Sequence, residues 1–83
     1  MFNIYAIESL ANRRIYIGHT ADIHKRLKYH NSGYVKSTAQ DRPWSLVAIE
    51  KVASKNEARW LERSLKESRG KRIKWLAKNR IKE

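Results

Sequence analysis

Phe2-Asn3-Ile4-Tyr5-Ala6-Ile7, followed after a polar interval by Arg14-Ile15-Tyr16-Ile17-Gly18, is the stretch whose reading decides the fold. Both runs are rich in aromatic and β-branched residues, which suit a pleated, half-buried surface. The interval Glu8 to Arg13 holds Ser, Asn and charges and reads as a turn. Two such runs joined by a short polar turn predict an antiparallel hairpin. Beyond it, Thr20 is placed to cap a helix and Asp22 to favour its first turn, so a helix is expected from about Ala21 to Tyr29. His30 to Pro43 contains Gly33, several Ser and Thr and the only proline, and reads as a loop. Trp44 to Val52 reads as a third strand. Ser54-Lys55-Asn56-Glu57 matches a capping box, opening a helix that runs to about Ser68, with Gly70 suited to its end. Ile73, Trp75, Leu76 and Ile81 suggest a last helix. The order ββα-βαα predicts a small α+β domain, a strand meander with helices packed against it.

The chain has 83 residues and a hydrophobic fraction of 41%, enough for one modest core in a single domain spanning 1–83. Lys and Arg outnumber Asp and Glu by 19 to 8, a formal charge of +11. Solubility alone asks only for a net charge of about 2 to 8, so an anionic partner is expected: nucleic acid, an anionic membrane surface or an acidic protein. The absence of cysteine removes disulfides and thiolate zinc sites. No apolar run approaches the roughly 20 residues that span a bilayer, and the N-terminus lacks the regions of a signal peptide. A cytoplasmic protein without membrane contact is the expectation.

Helical geometry then sorts the polar residues, since successive residues lie about 100° apart. In the first helix Ile23 and Leu27 mark the inward stripe, with His30 within about 20° of Ile23 and Arg26 on the shoulder at about 60°. One Arg and one His are thus turned toward the body of the domain while Lys25 and Lys28 are solvated. Arg26 could pair with Asp22, four residues earlier, and His30 could be a core or capping histidine. In the second helix Ala58, Leu61 and Leu65 form the stripe, and Glu62 lies inside it, about 40° from Ala58. An inward carboxylate is costly unless it is paired or binds a metal; both readings stand at this point. Tyr5 and Tyr16 sit mid-strand on the two arms of the hairpin, where cross-strand neighbours approach to about 5 Å at Cβ. Packing alone would explain such a pair. Gly18 adds that a ligand or another backbone can come close there.

Ile4-Tyr5 followed by Tyr16-Ile17-Gly18 resembles the paired signature of GIY-YIG nucleases. The match continues in order through Thr20-Ala21-Asp22-Ile23, Lys25-Arg26-Leu27, His30-Asn31-Ser32-Gly33, Arg42-Pro43-Trp44-Ser45-Leu46-Val47, Glu57-Ala58 and Leu61-Glu62-Arg63-Ser64-Leu65-Lys66. The pattern is similar to the compact, stand-alone branch of the family and to the nuclease module of the excision-repair protein UvrC. The first motif departs from it, reading Asn3-Ile4-Tyr5 without a glycine. His19 and His24 match no family role, and Asn79 is the obvious candidate for a late supporting asparagine.

The resemblance implies a three-stranded antiparallel sheet flanked by three helices, with Tyr5 on the central strand. It implies a divalent-metal-dependent endonuclease that hydrolyses DNA phosphodiester bonds in repair, recombination or processing. Its catalytic residues would be Tyr5, Tyr16, Arg26, His30 and Glu62. Tyr5 would act on the nucleophilic water and Tyr16 would help to position it. Arg26 would contact the scissile phosphate, and His30 would hydrogen-bond near the tyrosine and take up its proton. Glu62 would hold one Mg²⁺ or Mn²⁺. A free tyrosine has a pKa of about 10, and a nearby cation or Arg26 would be needed to lower it. One carboxylate with phosphate oxygens and waters is an ordinary Mg²⁺ shell.

Phosphate contacts are expected from Arg14, Lys25, Lys28, Lys36, Lys71 and Arg72, giving salt-sensitive and largely sequence-independent affinity for single-stranded, nicked or branched DNA. Tyr34 and Trp44 border the loop and are expected to stack on unpaired bases; Trp60 and Trp75 are expected in helix packing. One active site per chain favours nicking unless the protein dimerises, and a monomer is the expectation. The alternative is a non-catalytic nucleic-acid-binding module with the same fold, which would not need an inward Glu62. A basic ribosome-associated or membrane-surface protein, built on an amphipathic helix at Lys71 to Ile81, leaves the tyrosine pair unexplained.

Overall fold

The computed structural model describes residues 1–81 and has the expected element order: β1 (Phe2–Ser9), β2 (Ile15–Thr20), α1 (Ile23–Ser32), β3 (Trp44–Val52), α2 (Lys55–Glu67) and α3 (Arg69–Asn79), with a short 3₁₀ turn at Ala39–Asp41. The three strands form one antiparallel sheet in the order β2-β1-β3, so β1 is central. The sheet is covered on both faces. Alternate residues of β1 go to opposite sides, as the period of two demands. Ile4 and Ala6 join Ile17, Ala48, Ala58, Leu65 and Trp75 in a core beneath α2 and α3. Tyr5 and Ile7 join Trp44, with Tyr16, Ile23, Leu27 and Leu46, beneath α1. A central strand buried on both faces explains why Phe2 to Ile7 is almost wholly apolar.

The helix boundaries differ from expectation for identifiable reasons. Asp22, not Thr20, caps α1, its carboxylate accepting from Lys25 N at 3.1 Å, while Thr20 extends β2. At the other end α1 continues three residues past Tyr29. Gly33, at φ 84°, stops it, donating to the His30 carbonyl while Tyr34 N donates to that of Tyr29. These two bonds are a Schellman closure, and the Tyr29 and Tyr34 rings, 5.0 Å apart, make its side-chain contact. His30 therefore belongs to the helix and not to the loop.

The capping box at α2 forms: Ser54 Oγ accepts from Glu57 N, and the Glu57 carboxylate turns back to accept from Ala53 N, one residue before the cap. Gly70 lies inside α3 and ends nothing. Ser68 both closes α2 and caps α3, accepting from Lys71 N, so the two helices meet without a linker. α3 stops at Asn79, and the chain then returns to the sheet edge, where Arg80 bridges to Ala48 and Ile81 N donates to Val47 O. Ile81 is thus a sheet-edge residue, not a helical one.

Candidate active site

Tyr5 stands opposite Gly18 in the β1–β2 ladder, while Tyr16 stands opposite Ile7. The tyrosines are therefore diagonal neighbours on the α1 face, not a direct pair, with ring centroids 6.5 Å apart. Gly18 is needed for a reason internal to the site. A Cβ there would lie 2.5 Å from Tyr5 Oη and 2.7 Å from Cζ. The ring of Tyr5 fills the space that any other side chain at 18 would take.

From above, α1 lowers His30 onto the pair. His30 is fully buried, with Nε2 2.8 Å from Tyr5 Oη and its ring 5.1 Å from that of Tyr16. Its Nδ1 lies 2.8 Å from Thr38 Oγ1. Burial and the neighbouring Arg26 hold the imidazole below its ordinary pKa, so it is neutral. Burial pushes the Tyr5 phenol above the ordinary tyrosine range, and Tyr16 adds to that; Arg26 pulls the other way and does not prevail. The expected lowering of the Tyr5 pKa is thus not present in the free protein. Tyr5 is a neutral hydroxyl at hydrogen-bond distance from Nε2 of His30.

Arg26 is half-buried on α1. The pairing with Asp22 does not form, since Asp22 is the helix cap, and no described carboxylate lies within ion-pair distance of Arg26. A guanidinium whose charge acts on Tyr5 and His30, and which has no carboxylate partner among the described residues, suits a phosphate.

Glu62 comes from α2 on the opposite layer and meets the edge of β2. Oε1 lies 2.6 Å from His19 Nδ1 and Oε2 accepts from Lys66 Nζ at 2.9 Å. Burial raises its pKa, but the hydrogen bonds and charges of Lys66 and His19 outweigh that and hold the carboxyl ionised. Lys66 also lies over the Tyr16 ring, 5.3 Å from its centroid. The two halves of the constellation are thus joined around the β2 edge by Lys66. An open pocket in front of Glu62 is lined by His19, Asn56, Arg59, Trp60, Arg63 and Lys66. Among the described residues no three of His, Asp and Glu form a cage for an ion. A cation here would take Glu62, with the imidazole of His19 beside it, and complete its shell with phosphate oxygens and water, as Mg²⁺ commonly does.

All five expected catalytic residues come to this region. His19, Thr38 and Lys66 join them unforeseen. Trp44 does not serve as a base platform: it is 3% exposed, makes a T-shaped ring contact with Tyr16 and donates Nε1–H to Thr38 O. Trp60, expected in packing, is 67% exposed at the pocket rim, whereas Trp75 is in the core. Asn79 donates to the Trp75 carbonyl at the end of α3 and is not brought to the tyrosines. Lys25, Lys28, Lys36, Lys71 and Tyr34 are exposed. Arg14 is held by Asp41 at 2.6 Å and by Ser37 O, and Arg72 donates to the carbonyls at the end of α2.

The family described as GIY-YIG catalytic domain matches residues 1–75 of the chain. No curated protein matches it.

Proposed function

From the chain's membership of the GIY-YIG family, a nuclease-type family whose catalytic domain matches residues 1–75, we propose that this protein is a divalent-metal-dependent endonuclease acting on DNA, structure-selective or nonspecific. The observation that carries this reading is the 2.8 Å hydrogen bond between Tyr5 Oη and a neutral, buried His30, with an Arg26 that has no carboxylate partner among the described residues. A packing pair of aromatics needs neither.

The chemistry follows from these groups. Tyr5 takes a proton from the attacking water and passes its own to His30 Nε2, so no free tyrosinate accumulates. Tyr16 flanks the water. The resulting hydroxide adds to phosphorus, and the bond from phosphorus to the leaving oxygen breaks. Arg26 holds the non-bridging oxygens as negative charge builds on them. A divalent cation held at Glu62 would supply Lewis-acid stabilisation of the phosphate and the leaving oxygen. Lys66 and His19 keep the Glu62 carboxylate ionised.

Around the site, Lys25, Lys28 and Lys36 supply screened, sequence-independent attraction to the phosphate backbone. Tyr34, 72% exposed, offers a face to an unpaired base. No helix among the described residues is long and apolar enough to cross a membrane.

The test is direct cleavage of single-stranded, nicked and branched DNA with Mg²⁺, with Mn²⁺ and with EDTA. Glu62→Ala and Arg26→Ala variants run in parallel. Metal-dependent cleavage lost in both variants is expected. Cleavage that survives both substitutions or ignores EDTA would sink the mechanism. DNA binding without cleavage of any substrate would leave the non-catalytic binding module.

A further inference from the structure

Thr38 lies in the segment between α1 and β3, is fully buried, and belongs to neither motif that brings the tyrosines together. Its hydroxyl has one hydrogen. The Val35 carbonyl, 3.2 Å from Oγ1, can only accept, so a hydrogen bond between the two uses that hydrogen. Toward His30 Nδ1, 2.8 Å away, Thr38 then presents a lone pair, and Nδ1 must carry a proton to complete the contact. A neutral imidazole has only one N–H. Nε2 is therefore the unprotonated nitrogen, and it faces Tyr5 Oη. The hydrogen bonds run in one direction: Tyr5 O–H to His30 Nε2, His30 Nδ1–H to Thr38 Oγ1, Thr38 O–H to Val35 O.

We infer that Thr38 is a positioning residue, which fixes His30 in the tautomer protonated at Nδ1 and so aims a basic nitrogen at the Tyr5 hydroxyl. The inference rests on the reading above of Tyr5 and His30 as the proton-handling pair. The opposite tautomer would place N–H on Nε2, where it would donate to Tyr5 and could not receive its proton. It would also require Thr38 to abandon Val35.

Thr38 is itself held against rotation. Its backbone N donates to Val35 O at 3.1 Å, and its carbonyl accepts from Asp41 N at 3.2 Å and from Trp44 Nε1 at 2.8 Å. Trp44 in turn packs on Tyr16. The segment between α1 and β3 is thus the outer support of the site, and the burial of Trp44 is part of it. The tautomer of a histidine that handles a catalytic proton is commonly set by the partner of its other nitrogen, and a wrong tautomer in a Ser-His-Asp arrangement costs on the order of 10⁴ in rate.

The experiment is a long-range ¹H–¹⁵N correlation spectrum of the full chain carrying ¹⁵N-labelled histidine, at a pH where His30 is neutral, run on wild type, Thr38→Ser and Thr38→Val. Wild type and Thr38→Ser should show His30 with N–H at Nδ1 and a lone pair at Nε2. Thr38→Val, nearly the same shape without the hydroxyl, should shift the ring toward the Nε2–H tautomer. Its single-turnover cleavage rate should fall roughly 10- to 1,000-fold with DNA affinity unchanged, and Thr38→Ser should retain the wild-type rate. A wild-type His30 protonated at Nε2 would overturn the inference, as would a Thr38→Val spectrum or rate like that of wild type. The spectra decide the role of Thr38 even if the chain cuts no DNA, in which case only the proposed activity fails. If Thr38→Val does not fold, as judged by its melt, Thr38→Ala takes its place in the spectra and the rates, with the same outcomes expected.

Discussion

Tyr5 and Gly18 face each other across the β1–β2 ladder, and the phenol of Tyr5 occupies the space where a Cβ at position 18 would stand. The glycine is thus part of the active-site shape, because it lets the Tyr5 ring lie flat enough for Oη to reach His30 at 2.8 Å. The position is closed by the fold itself rather than left open for a ligand.

Gly18→Ala should therefore displace the Tyr5 ring. A Cβ 2.5 Å from Oη and 2.7 Å from Cζ cannot be absorbed by a small shift, since both atoms belong to one rigid side chain that is 1% exposed. Overpacking of this kind costs about 1–3 kcal/mol. A displacement near 1 Å can cost on the order of 100-fold in rate. Thermal melts and single-turnover cleavage test the two effects; a rate within about twofold of wild type would remove Tyr5 from the chemistry, given the size of effect a positioned group has.

Tyr5→Phe separates the hydroxyl from the ring. The phenyl keeps the packing against Tyr16 and Gly18, but leaves His30 Nε2 buried without a partner, which costs about 1–3 kcal/mol. Cleavage should fall by roughly 10²- to 10⁴-fold, the usual contribution of a positioned acid–base group. DNA affinity measured with EDTA present should stay unchanged. Loss of binding in step with cleavage would instead assign Tyr5 to substrate contact.

The pH dependence has a definite sign. Burial and Arg26 place the pKa of folded His30 below that of the unfolded histidine, about 6.5. Between those two values the unfolded chain binds more protons, so stability rises with pH through that window and is lost as pH falls through it. Cleavage should decline on the same acid side, because protonated His30 cannot accept from Tyr5. Glu62 is depressed below the ordinary carboxylate range and contributes stability that is lost at still lower pH. Melting temperatures of wild type and His30→Gln from about pH 8 to 5 check this. The His30→Gln profile should be flatter below about pH 6.5, and parallel profiles would contradict the neutral, buried histidine.

Much of this architecture is legible in the chain. The two-residue period of Phe2 to Ile7 and of Ile15 to Ile17 places the hairpin, and angular position places Arg26, His30 and Glu62 inward, because both are local properties of backbone geometry. What escapes depends on contacts between distant segments. His19 has no assignable role in the sequence because its partner, Glu62, is 43 residues away. Thr38 looks like one polar loop residue among several, since its meaning lies in a hydrogen bond to the end of a helix that runs past its expected terminus. Trp60 is instructive in another way. It lies two residues after Ala58, about 200° round the helix, so geometry places it outward and only its residue type argues for packing. Trp44 departs from expectation for the opposite reason: which face a strand aromatic takes depends on register, and β3 carries a register irregularity opposite Ala6 and Ile7.

The basic surface divides into cations that are free and cations that are engaged. Lys25, Lys28 and Lys36 are exposed and make no ion pair among the described residues. Replacing them with alanine should lower DNA affinity uniformly across sequences. The slope of log affinity against log salt should decrease by about 0.7–0.9 for each phosphate that is no longer neutralised. Titrations of a short oligonucleotide at several salt concentrations measure this. An unchanged slope would move the DNA path away from α1.

Ser9 gives the last prediction, because it ties the β1–β2 turn to the wall that holds Thr38. It is fully buried at the end of β1. Its hydroxyl donates to Asp41 O at 2.6 Å and accepts from Ala11 N at 3.1 Å and Asn12 N at 3.2 Å. Ser9→Ala removes all three of these hydrogen bonds at once and should destabilise the domain by about 1–3 kcal/mol. For a chain of this size about 1 kcal/mol lowers Tm by about 4–8 °C. Arg14→Ala breaks the neighbouring ion pair to Asp41, but those side chains are 47% and 20% exposed and the pair is screened. Its loss should cost about 1 kcal/mol or less. Ser9→Ala should therefore melt lower than Arg14→Ala. The reverse order would mean that the turn and the 3₁₀ segment are joined by charge rather than by the buried hydroxyl.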